Sequence, residues 1–297
     1  MTTETQPLLL AGKPVADAIL AEVKHGIQDL LIKGHVAPPQ LVVIVVGDDP
    51  ASHVYTQRKA VVAQDVGMRS QRIALLASTT QEQLLHHIAA LNADADVHGI
   101  LIQLPLPNHI NTHTVLAAVD PRKDVDGFHP QNLGKLLGAW DARQNPVALP
   151  CTPAGTMTLL NHYGIELAGK HAVVVGRSTI VGKPLAQLLL QANATVTVCH
   201  SQTVDVFAHT RQADIVCVAI GRPGWLTADA IQPGAVVIDI GINRLGDDHP
   251  TRAGKLAGDV DFDSVALKAS AITPVPGGIG PLTIATLMQN TLKLFVS

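Results

Sequence analysis

Apolar residues recur at two spacings along this chain, and stretches with one spacing alternate with stretches of the other. Between positions 15 and 33 they stand three or four residues apart, as on one face of a helix, and Pro14 and Gly34 are suited to begin and end it. Residues 41–46 form a continuous and mostly β-branched run, which is typical of a strand covered on both faces. This alternation predicts an α/β fold with parallel strands.

The same patterns predict the remaining elements. Further helices are expected from Pro50 to about Val66 and at 84–91, 157–163, 184–191 and 282–294. Further strands are expected at 70–76, 97–104, 171–175, 195–199, 214–220 and 235–240. A polar passage with several prolines interrupts the rhythm between Pro121 and Pro153. We therefore expect two parallel-sheet α/β domains with a cleft between them: a first at 1–150, completed by the C-terminal helix at 277–297, and a Rossmann-like second at 151–276.

The composition of the chain argues against several classes of function, namely binding of nucleic acid, of a membrane or of a metal. The chain has 297 residues, 47% of them hydrophobic, with a net charge of −3 and 3% aromatic residues, so neither nucleic acid nor an anionic membrane is an expected partner. Three cysteines without paired spacing fit a reducing compartment. We see no signal peptide and no apolar run that could cross a bilayer. The 14 histidines form no recognisable ligand pattern, so we expect no metal site.

The stretch from Pro274 to Pro281 contains three prolines and three glycines and leads into the last predicted helix. Proline fixes the backbone angle φ and lacks an N–H donor, whereas glycine lets the backbone approach a flat ligand closely. A rigid loop with few side chains that ends at a helix N-terminus suits a planar, hydrogen-bonding ligand. A stiff surface connection is the alternative, which this stretch by itself leaves open.

Tyr55 and Lys59 stand four residues apart on a predicted helix, which places them on one face. A lysine beside an aromatic ring in a dry cleft loses its proton more readily, because desolvation disfavours the charged form. Such a group can give and take a proton near neutral pH. The alternative is a solvated lysine whose alkyl stem lies on the tyrosine.

Two further polar positions lie near strand ends, where parallel sheets bind ligands. Gln103 ends the strand before Pro105, and its amide is both a donor and an acceptor; it could equally cap the strand. Asp124 and Asp126 come shortly afterwards, and a carboxylate there could accept paired N–H donors from a heterocycle. An Asx-turn around Gly127 is the alternative explanation.

Residues 173–184 combine an apolar strand, a turn that contains Gly176 and the start of a helix, which is the geometry for a phosphate at a helix N-terminus. The usual GxGxxG spacing is absent. NAD sites carry an acidic residue about 20 residues on, but His200 and Ser201 stand there. Together with Arg177 they would suit a 2′-phosphate, which favours NADP over NAD. A βαβ unit without a cofactor is the alternative.

Taken together, the motifs resemble the bifunctional methylenetetrahydrofolate dehydrogenase/cyclohydrolase family. They occur in the order expected of that family, span nearly the whole chain, and lie at 46–52 with Tyr55 and Lys59, 103–107, 123–127, 150–153, 176–184, 239–243, 258–260 and 273–281. Gly241, in the 239–243 motif, would let the backbone lie against a flat ring, although it could also be an ordinary glycine between strand and loop.

The resemblance implies oxidation of 5,10-methylenetetrahydrofolate to the 5,10-methenyl compound with NADP, followed by hydrolysis to 10-formyltetrahydrofolate, in one-carbon metabolism and purine biosynthesis. It implies that the first domain binds folate and the second binds NADP. Asp126 would hydrogen-bond the pterin-like ring and Tyr55 would stack on it. Lys59 would be the proton shuttle, tuned by Gln103.

The resemblance also implies the remaining contacts and the assembly. A substrate loop would close over the folate, formed by Pro276, Gly277, Gly278, Ile279 and Gly280. NADP would be held by Gly176, Arg177, Ser178, Ser201 and Ile242. A cytoplasmic homodimer formed through the cofactor domain is expected.

Two positions depart from the family pattern. Val61 stands where the family often has a second basic residue, and Thr56 replaces the usual apolar residue after the tyrosine. Neither change removes a group that the chemistry needs, but the two rates could be balanced differently. Two rival functions are an NADP-dependent oxidoreductase acting on a small acid and a non-catalytic nucleotide sensor.

Overall fold

A computed structural model describes residues 6–34, 37–139, 142–144, 147–245 and 254–297, with the side chains of 50–54 and 142 left aside. The chain forms two compact units, and neither is one continuous segment. Unit 1 consists of Met1–Ala16, Ala139–Arg143 and Thr152–Thr283. Unit 2 consists of Asp17–Gly138, Gln144–Cys151 and Ile284–Ser297.

The strands are short, and most of them are parallel. In chain order they are β1 Leu8–Leu9, β2 Gln40–Val46, β3 Arg69–Leu75, β4 Gly99–Ile102, β5 His171–Val175, β6 Thr195–Cys199, β7 Ile215–Val218, β8 Val236–Asp239, β9 Asn243–Arg244, β10 Leu256–Ala257 and β11 Ala271–Ile272.

The helices lie mostly between these strands. In chain order they are α1 Gly12–Ile32, α2 Pro50–Asp65, α3 Gln81–Ala93, α4 Thr112–Ala118, α5 Pro130–Gly138, α6 Cys151–His162, α7 Gly182–Gln191, α8 Val206–Thr210, α9 Phe262–Ala266 and α10 Ile279–Val296. Two short 3₁₀ turns lie at Ala142–Gln144 and Ala228–Ala230. None of the helices in the described ranges has the length and apolar character needed to cross a membrane.

Unit 1 is built on a six-stranded parallel sheet with the order β1-β11-β8-β7-β5-β6. β5 lies beside the edge strand β6 and pairs with both of its neighbours, so that Val174 lies between Val198 and Cys217. Val173 and Val216 are fully buried, as expected for a sheet covered on both faces. This doubly wound order is Rossmann-like, and its carboxyl edge is where such sheets bind nucleotides.

Unit 2 contains a three-stranded parallel sheet with the order β3-β2-β4. β2 is the middle strand, and residues 41–45 are at most 2% exposed, which explains its uninterrupted apolar run. Gln103 comes directly after β4 in the chain. The Asp124–Asp126 segment runs beside the same strand, because Asp124 forms a parallel bridge to Ile100 of β4. The carboxyl end of β4 therefore gathers the polar residues of the site.

The predicted α/β class with parallel sheets is confirmed. The last part of α10, residues 284–297, lies in the same compact unit as residues 17–138. Element boundaries were less accurate. α6 begins at Cys151 rather than at 157, and α10 begins at Ile279 rather than at 282. The short helices α4, α5, α8 and α9 were not predicted, since three or four apolar positions carry too little periodicity to distinguish a helix from a loop.

Candidate active site

Lys59 lies on α2 and donates a hydrogen bond from Nζ to Oε1 of Gln103 at 3.0 Å. Gln103 follows β4, and its backbone N–H donates to the carbonyl of Ile44 at 2.9 Å. Its amide Nε2 donates to the carbonyl of Leu104 at 2.7 Å, which fixes the amide so that its oxygen faces the lysine. The expected pairing of Lys59 with Gln103 is therefore present, and Gln103 does more than cap the strand.

Tyr55 lies one helical turn before Lys59 and is half-buried. Burial raises the pKa of its phenol, while the nearby charge of Arg58 acts in the opposite direction. The Tyr55 ring is thus neutral and half-buried. Of the two departures from the family pattern, Thr56 is buried and Val61 is exposed.

Asp124 and Asp126 have different roles, although only one residue separates them. The Asp124 carboxylate is buried and accepts hydrogen bonds from the backbone N–H of Phe128 at 3.1 Å and of His129 at 2.8 Å. It also accepts one from Asn132 Nδ2 at 2.9 Å. Asp124 therefore forms the Asx-turn structure around Gly127, which leaves Asp126 available for a ligand.

The Asp126 carboxyl is partly accessible, yet the surrounding protein is enough to desolvate it. Desolvation raises its pKa to about 6, against the lowering effect of the Lys59 charge, and the Asp124 charge raises it further. Cys151 Sγ is 3.7 Å from Oδ1 of Asp126 and donates a weak hydrogen bond to it. Burial raises the pKa of this thiol well above its usual value, so Cys151 remains a neutral donor.

Asn290 on α10 is a supporting residue that the sequence patterns did not reveal. Its buried amide donates to the carbonyls of Val125 at 2.9 Å and Leu149 at 2.8 Å and lies 3.6 Å from Cys151 Sγ. It thereby holds the backbone that leads into Asp126 and the backbone that leads into Cys151. An amide within a mostly apolar helix is the one signal that could have identified it.

In unit 1 a cavity of about 440 Å³ opens at the carboxyl end of β5, and its wall includes four residues of the predicted cofactor site: Gly176, Arg177, His200 and Ser201. Gly176 has φ +124°, and a Cβ there would collide with the carbonyl oxygen of Ala219. Only glycine leaves this turn open, which fits close approach of a nucleotide to the backbone.

The charged side chains that line the cavity are basic. Arg177 and Arg222 line it together with His200, and none of the described residues that line it is an aspartate or glutamate. Arg222 was not predicted, because it follows the strand β7 rather than the glycine turn. The residues present therefore fit an anionic nucleotide, and a phosphorylated one in particular.

Ser178 and Ile242 lie outside this wall. The Ser178 hydroxyl accepts hydrogen bonds from the N–H groups of Val181 at 3.1 Å and Gly182 at 3.3 Å, so it holds the turn that leads into α7. Ile242 is partly exposed, and a Cβ on Gly280 would come within 3.3 Å of its Cδ1. The predicted cofactor residue Ile242 and the predicted substrate loop are thus neighbours.

The predicted substrate loop is held by the N-terminal segment of the same unit. The N–H of Gly12 donates to the carbonyl of Gly277 at 2.8 Å, and a Cβ on Gly12 would collide with the carbonyl oxygen of Gly278. Pro276 is exposed, whereas Ile279 and Gly280 form the first turn of α10. The backbone of the loop is therefore packed closely against the N-terminal segment.

The Rossmann-like sheet, the glycine turn and the cationic cavity together define a nucleotide-binding α/β protein. The same chain pairs a lysine with a glutamine. No group of three or more histidine, cysteine or acidic side chains is placed to hold a metal within the described ranges.

Two family models together match nearly the whole chain. The tetrahydrofolate dehydrogenase/cyclohydrolase catalytic domain matches residues 10–126, and the NAD(P)-binding domain of the same family matches residues 150–297. The chain belongs to the tetrahydrofolate dehydrogenase/cyclohydrolase family. It is therefore a bifunctional dehydrogenase and cyclohydrolase of folate one-carbon metabolism with an NAD(P)-binding domain, which confirms the predicted family and function.

Individual relatives agree. The bifunctional protein FolD of Prosthecochloris aestuarii is 54% identical over 293 residues, which cover 97% of this chain and 98% of that protein. The crystal structure of FolD from Campylobacter jejuni is 48% identical, with a TM-score of 0.89 and coverage of 96% of this chain and 97% of that one. The Trypanosoma brucei FolD, solved with NADP cofactor and an inhibitor, is 38% identical, with a TM-score of 0.92 and 98% coverage of both chains.

Proposed function

We propose that this enzyme uses NADP to oxidise 5,10-methylenetetrahydrofolate to 5,10-methenyltetrahydrofolate, and that Lys59 moves the protons when the methenyl compound is hydrolysed to 10-formyltetrahydrofolate. The observation that supports the role of Lys59 is its 3.0 Å hydrogen bond to Gln103, whose amide is itself fixed by a second hydrogen bond. The residues at 1–150 with 277–297 would bind the folate, and those at 151–276 would bind the cofactor.

Asp126 is proposed to bind the pterin. A carboxylate accepts hydrogen bonds on both oxygens, and a pterin offers an adjacent ring N–H and amino group. Asp126 suits this role because the donors around it leave it largely uncommitted, unlike Asp124, which accepts three hydrogen bonds from its own turn. Tyr55 would cover the ring from one face, and the loop 276–280 would add backbone contacts.

The hydrolytic step needs a group that removes a proton from water and returns one to the leaving nitrogen. Water adds to the methenyl carbon, the carbon–nitrogen bond to the ring opens, and one proton is released overall. Lys59 Nζ is the side-chain amine beside this site, and Gln103 holds it in one orientation. A base that is positioned in this way typically contributes about 10²–10⁴-fold to a rate.

When it is bound, NADP accepts the hydride from the one-carbon bridge of the folate. The chain's own contribution is alignment, because holding donor and acceptor in register lowers the entropic part of the barrier. Gly176 leaves room for the nucleotide, Arg177 and Ser201 supply positive charge and a donor, and Ser178 braces the turn. The cavity wall is cationic, and no carboxylate is found among the described residues that form it, which supports NADP rather than NAD.

One assay tests the cofactor and the reaction together. The purified enzyme is mixed with 5,10-methylenetetrahydrofolate and either NADP or NAD, and the absorbance of the methenyl product and reduced cofactor is followed. We expect Arg177→Ala to raise the KM for NADP much more than the KM for NAD. Arg211→Ala is the matched control, because Arg211 lies on the surface near Asp205 and does not line the cavity. An equal rise for both cofactors would contradict the 2′-phosphate assignment.

Location and assembly follow the family expectation. We propose a cytoplasmic homodimer that supplies one-carbon units for purine biosynthesis, with no nucleic acid or membrane partner. β6 is an edge strand of the unit 1 sheet and exposes Val198, which supports pairing through the cofactor domain. The three described cysteines are all free and buried, in keeping with a reducing compartment. Light scattering on the purified enzyme at several concentrations tests the dimer.

A further inference from the structure

The 258–260 motif contains a fully buried carboxylate, Asp259, that the reaction does not use. Its Oδ2 accepts hydrogen bonds from the backbone N–H of Ile220 at 2.7 Å and of Gly221 at 3.0 Å. Its Oδ1 accepts from the N–H of Arg222 at 2.7 Å and from Asn243 Nδ2 at 2.9 Å. Three consecutive backbone donors thus converge on one side chain.

This arrangement fixes one wall of the cofactor cavity. The segment 219–222 follows β7, and Ala219, Ile220 and Arg222 all line the cavity. Burying a carboxylate is costly unless hydrogen bonds replace its water, and bonds from N–H groups to an ionised acceptor are among the strongest available. Asp259 therefore holds the backbone of this wall in one conformation.

A second buried carboxylate, Asp239, holds Asp259 itself. It accepts hydrogen bonds from the N–H of Asp259 at 2.9 Å, of Val260 at 3.0 Å and of Gly241 at 3.0 Å. Gly241 has no room for a side chain, since a Cβ there would collide with the Asp259 carboxylate. Asp239 therefore holds Asp259, and Asp259 holds the backbone of the cavity wall. Gly241 leaves the space that the Asp259 carboxylate occupies.

Arg222 is the cationic residue whose backbone Asp259 holds. Its side chain is exposed in the cavity that Arg177, His200 and Ser201 also line. Neither Arg222 nor Arg177 has a hydrogen-bonding or ionic side-chain partner within the described ranges. Two guanidinium groups without partners in one cavity repel each other mildly and are each ready to bind an anion.

We propose that Arg222 is a second ligand of the cofactor's 2′-phosphate, beside Arg177, and that Asp259 is the positioning residue that aims it. This inference rests on the proposed use of NADP. It gives the 258–260 motif a role in cofactor specificity, through the backbone of residues 220–222, although Asp259 itself touches no cofactor.

The test uses fragments that isolate the 2′-phosphate. Binding of 2′,5′-ADP and of 5′-AMP to the full-length enzyme is measured by calorimetry, or by the fluorescence of Trp225, which lies in the cavity wall. For Arg222→Gln we expect about tenfold weaker binding of 2′,5′-ADP, the order expected for a lost charge-assisted hydrogen bond, and unchanged binding of 5′-AMP. Arg211→Gln is the matched control and should change neither.

Asp259→Asn replaces one acceptor oxygen by an amide donor that faces backbone N–H groups. We expect the KM for NADP to rise about tenfold or more, while the cofactor-independent hydrolysis of added methenyltetrahydrofolate keeps its rate. Asp261→Asn, two residues further along and without a capping hydrogen bond from its side chain, should leave both unchanged. Gly241→Ala should repeat the Asp259→Asn result, because its Cβ displaces the same carboxylate.

A double-mutant cycle decides whether Asp259 acts through Arg222. If it does, the double variant Asp259→Asn, Arg222→Gln loses little more affinity for 2′,5′-ADP than the more affected single variant. Additive losses, or a loss of hydrolysis equal to the loss of NADP binding, would overturn the positioning role. Unchanged 2′,5′-ADP binding in Arg222→Gln, or an equal loss for 5′-AMP, would overturn the ligand role. If the parent enzyme did not prefer 2′,5′-ADP to 5′-AMP, the proposed NADP function would fail instead.

Discussion

The polar site of unit 2 and the cofactor cavity of unit 1 are built in opposite ways. In unit 2 the groups assigned to chemistry contact one another: Lys59 donates to Gln103, and Cys151 contacts Asp126. In unit 1 the guanidinium groups that face the cavity have no such partner within the described ranges, and the hydrogen bonds go to the backbone that carries them. In the first site the side chains are preorganised by contacts with one another, whereas in the second site the backbone is preorganised.

This difference matches the tasks. A proton shuttle must hold one atom in one place before the substrate arrives, because misplacement costs rate directly. A phosphate site can leave its arginines mobile, since the ligand completes the contacts, but the backbone must already be open. We therefore expect changes of single side chains to affect chemistry in unit 2 and changes of backbone geometry to affect binding in unit 1.

The largest effect is expected for Lys59→Met, which removes the amine and keeps the length of the side chain. Hydrolysis of methenyltetrahydrofolate should fall by about 10²–10⁴-fold, the usual contribution of a positioned acid or base. The decay of methenyl absorbance measures this rate, and Lys135→Met, at an exposed position on α5, serves as control. A Lys59→Met variant that hydrolyses at the parent rate would remove the basis of the comparison.

Gly176→Ala tests the preorganised backbone. The added Cβ would collide with the carbonyl of Ala219, and overpacking of this kind costs about 1–3 kcal/mol, so we expect NADP to bind about 5–150-fold more weakly. Gly164→Ala is a matched control, because Gly164 also has positive φ, at +65°, but no atom lies within 4 Å of its added Cβ. Equal losses in the two variants would mean that φ alone, and not the collision, explains the effect.

Asp126→Asn tests the folate side. It removes a charge-assisted acceptor worth about 1.5–3 kcal/mol, so the KM for methylenetetrahydrofolate should rise about 10–100-fold with the KM for NADP unchanged. Steady-state kinetics with each substrate varied in turn measure both. A parallel rise in the KM for NADP would count against a role confined to folate.

The pH dependence sharpens the same point. Desolvation raises the pKa of Asp126 to about 6, so the carboxyl is neutral below that pH and charged above it. A neutral carboxyl is a poorer acceptor, and we expect the KM for the folate to rise as the pH falls through about 6. Asp126→Asn has no such group and should show a flat profile over that interval. A parent enzyme with a flat profile would show that this carboxyl does not bind the ring as an anion.

The smallest effect is expected for Asn290→Ala. Two buried carbonyls, of Val125 and Leu149, lose their donor, which should lower the free energy of unfolding by about 1–3 kcal/mol. Urea denaturation measures this change. Gln289→Ala on the same helix removes only a contact with Lys293 near the surface and should cost less than about 0.5 kcal/mol. If both variants lost the same free energy of unfolding, the hydrogen bonds of Asn290 would contribute no more to stability than a surface contact.

Much of the fold could be predicted because the inner strands of both sheets, such as β2, β5 and β7, are largely buried on both faces. The run at 41–46 and the strands β5 and β7 are nearly pure apolar segments, and helices separate them, so class and order follow from pattern alone. Tyr55, Lys59, Gln103 and Asp126 could be named because each lies in a segment that resembles the family.

The supports of the site could not be predicted in the same way. Asn290 and Asp259 act through contacts with residues that are distant in the chain, 165 positions away from Val125 in one case and 39 from Ile220 in the other. No local pattern records such a partner. Asp259 belonged to a motif whose role the sequence left open, and Arg222 belonged to no motif, so only the folded chain shows that they lie on one wall.

Each unit takes its residues from separated parts of the chain, and this has a consequence for synthesis. Unit 1 needs residues up to 283, and unit 2 needs the final stretch at 284–297. During synthesis from the N-terminus, neither core can be completed until α10 has left the ribosome. Apolar surface of both sheets therefore stays exposed until that point. A premature stop anywhere before α10 would remove part of both units at once, and the two enzymatic activities should therefore be lost together.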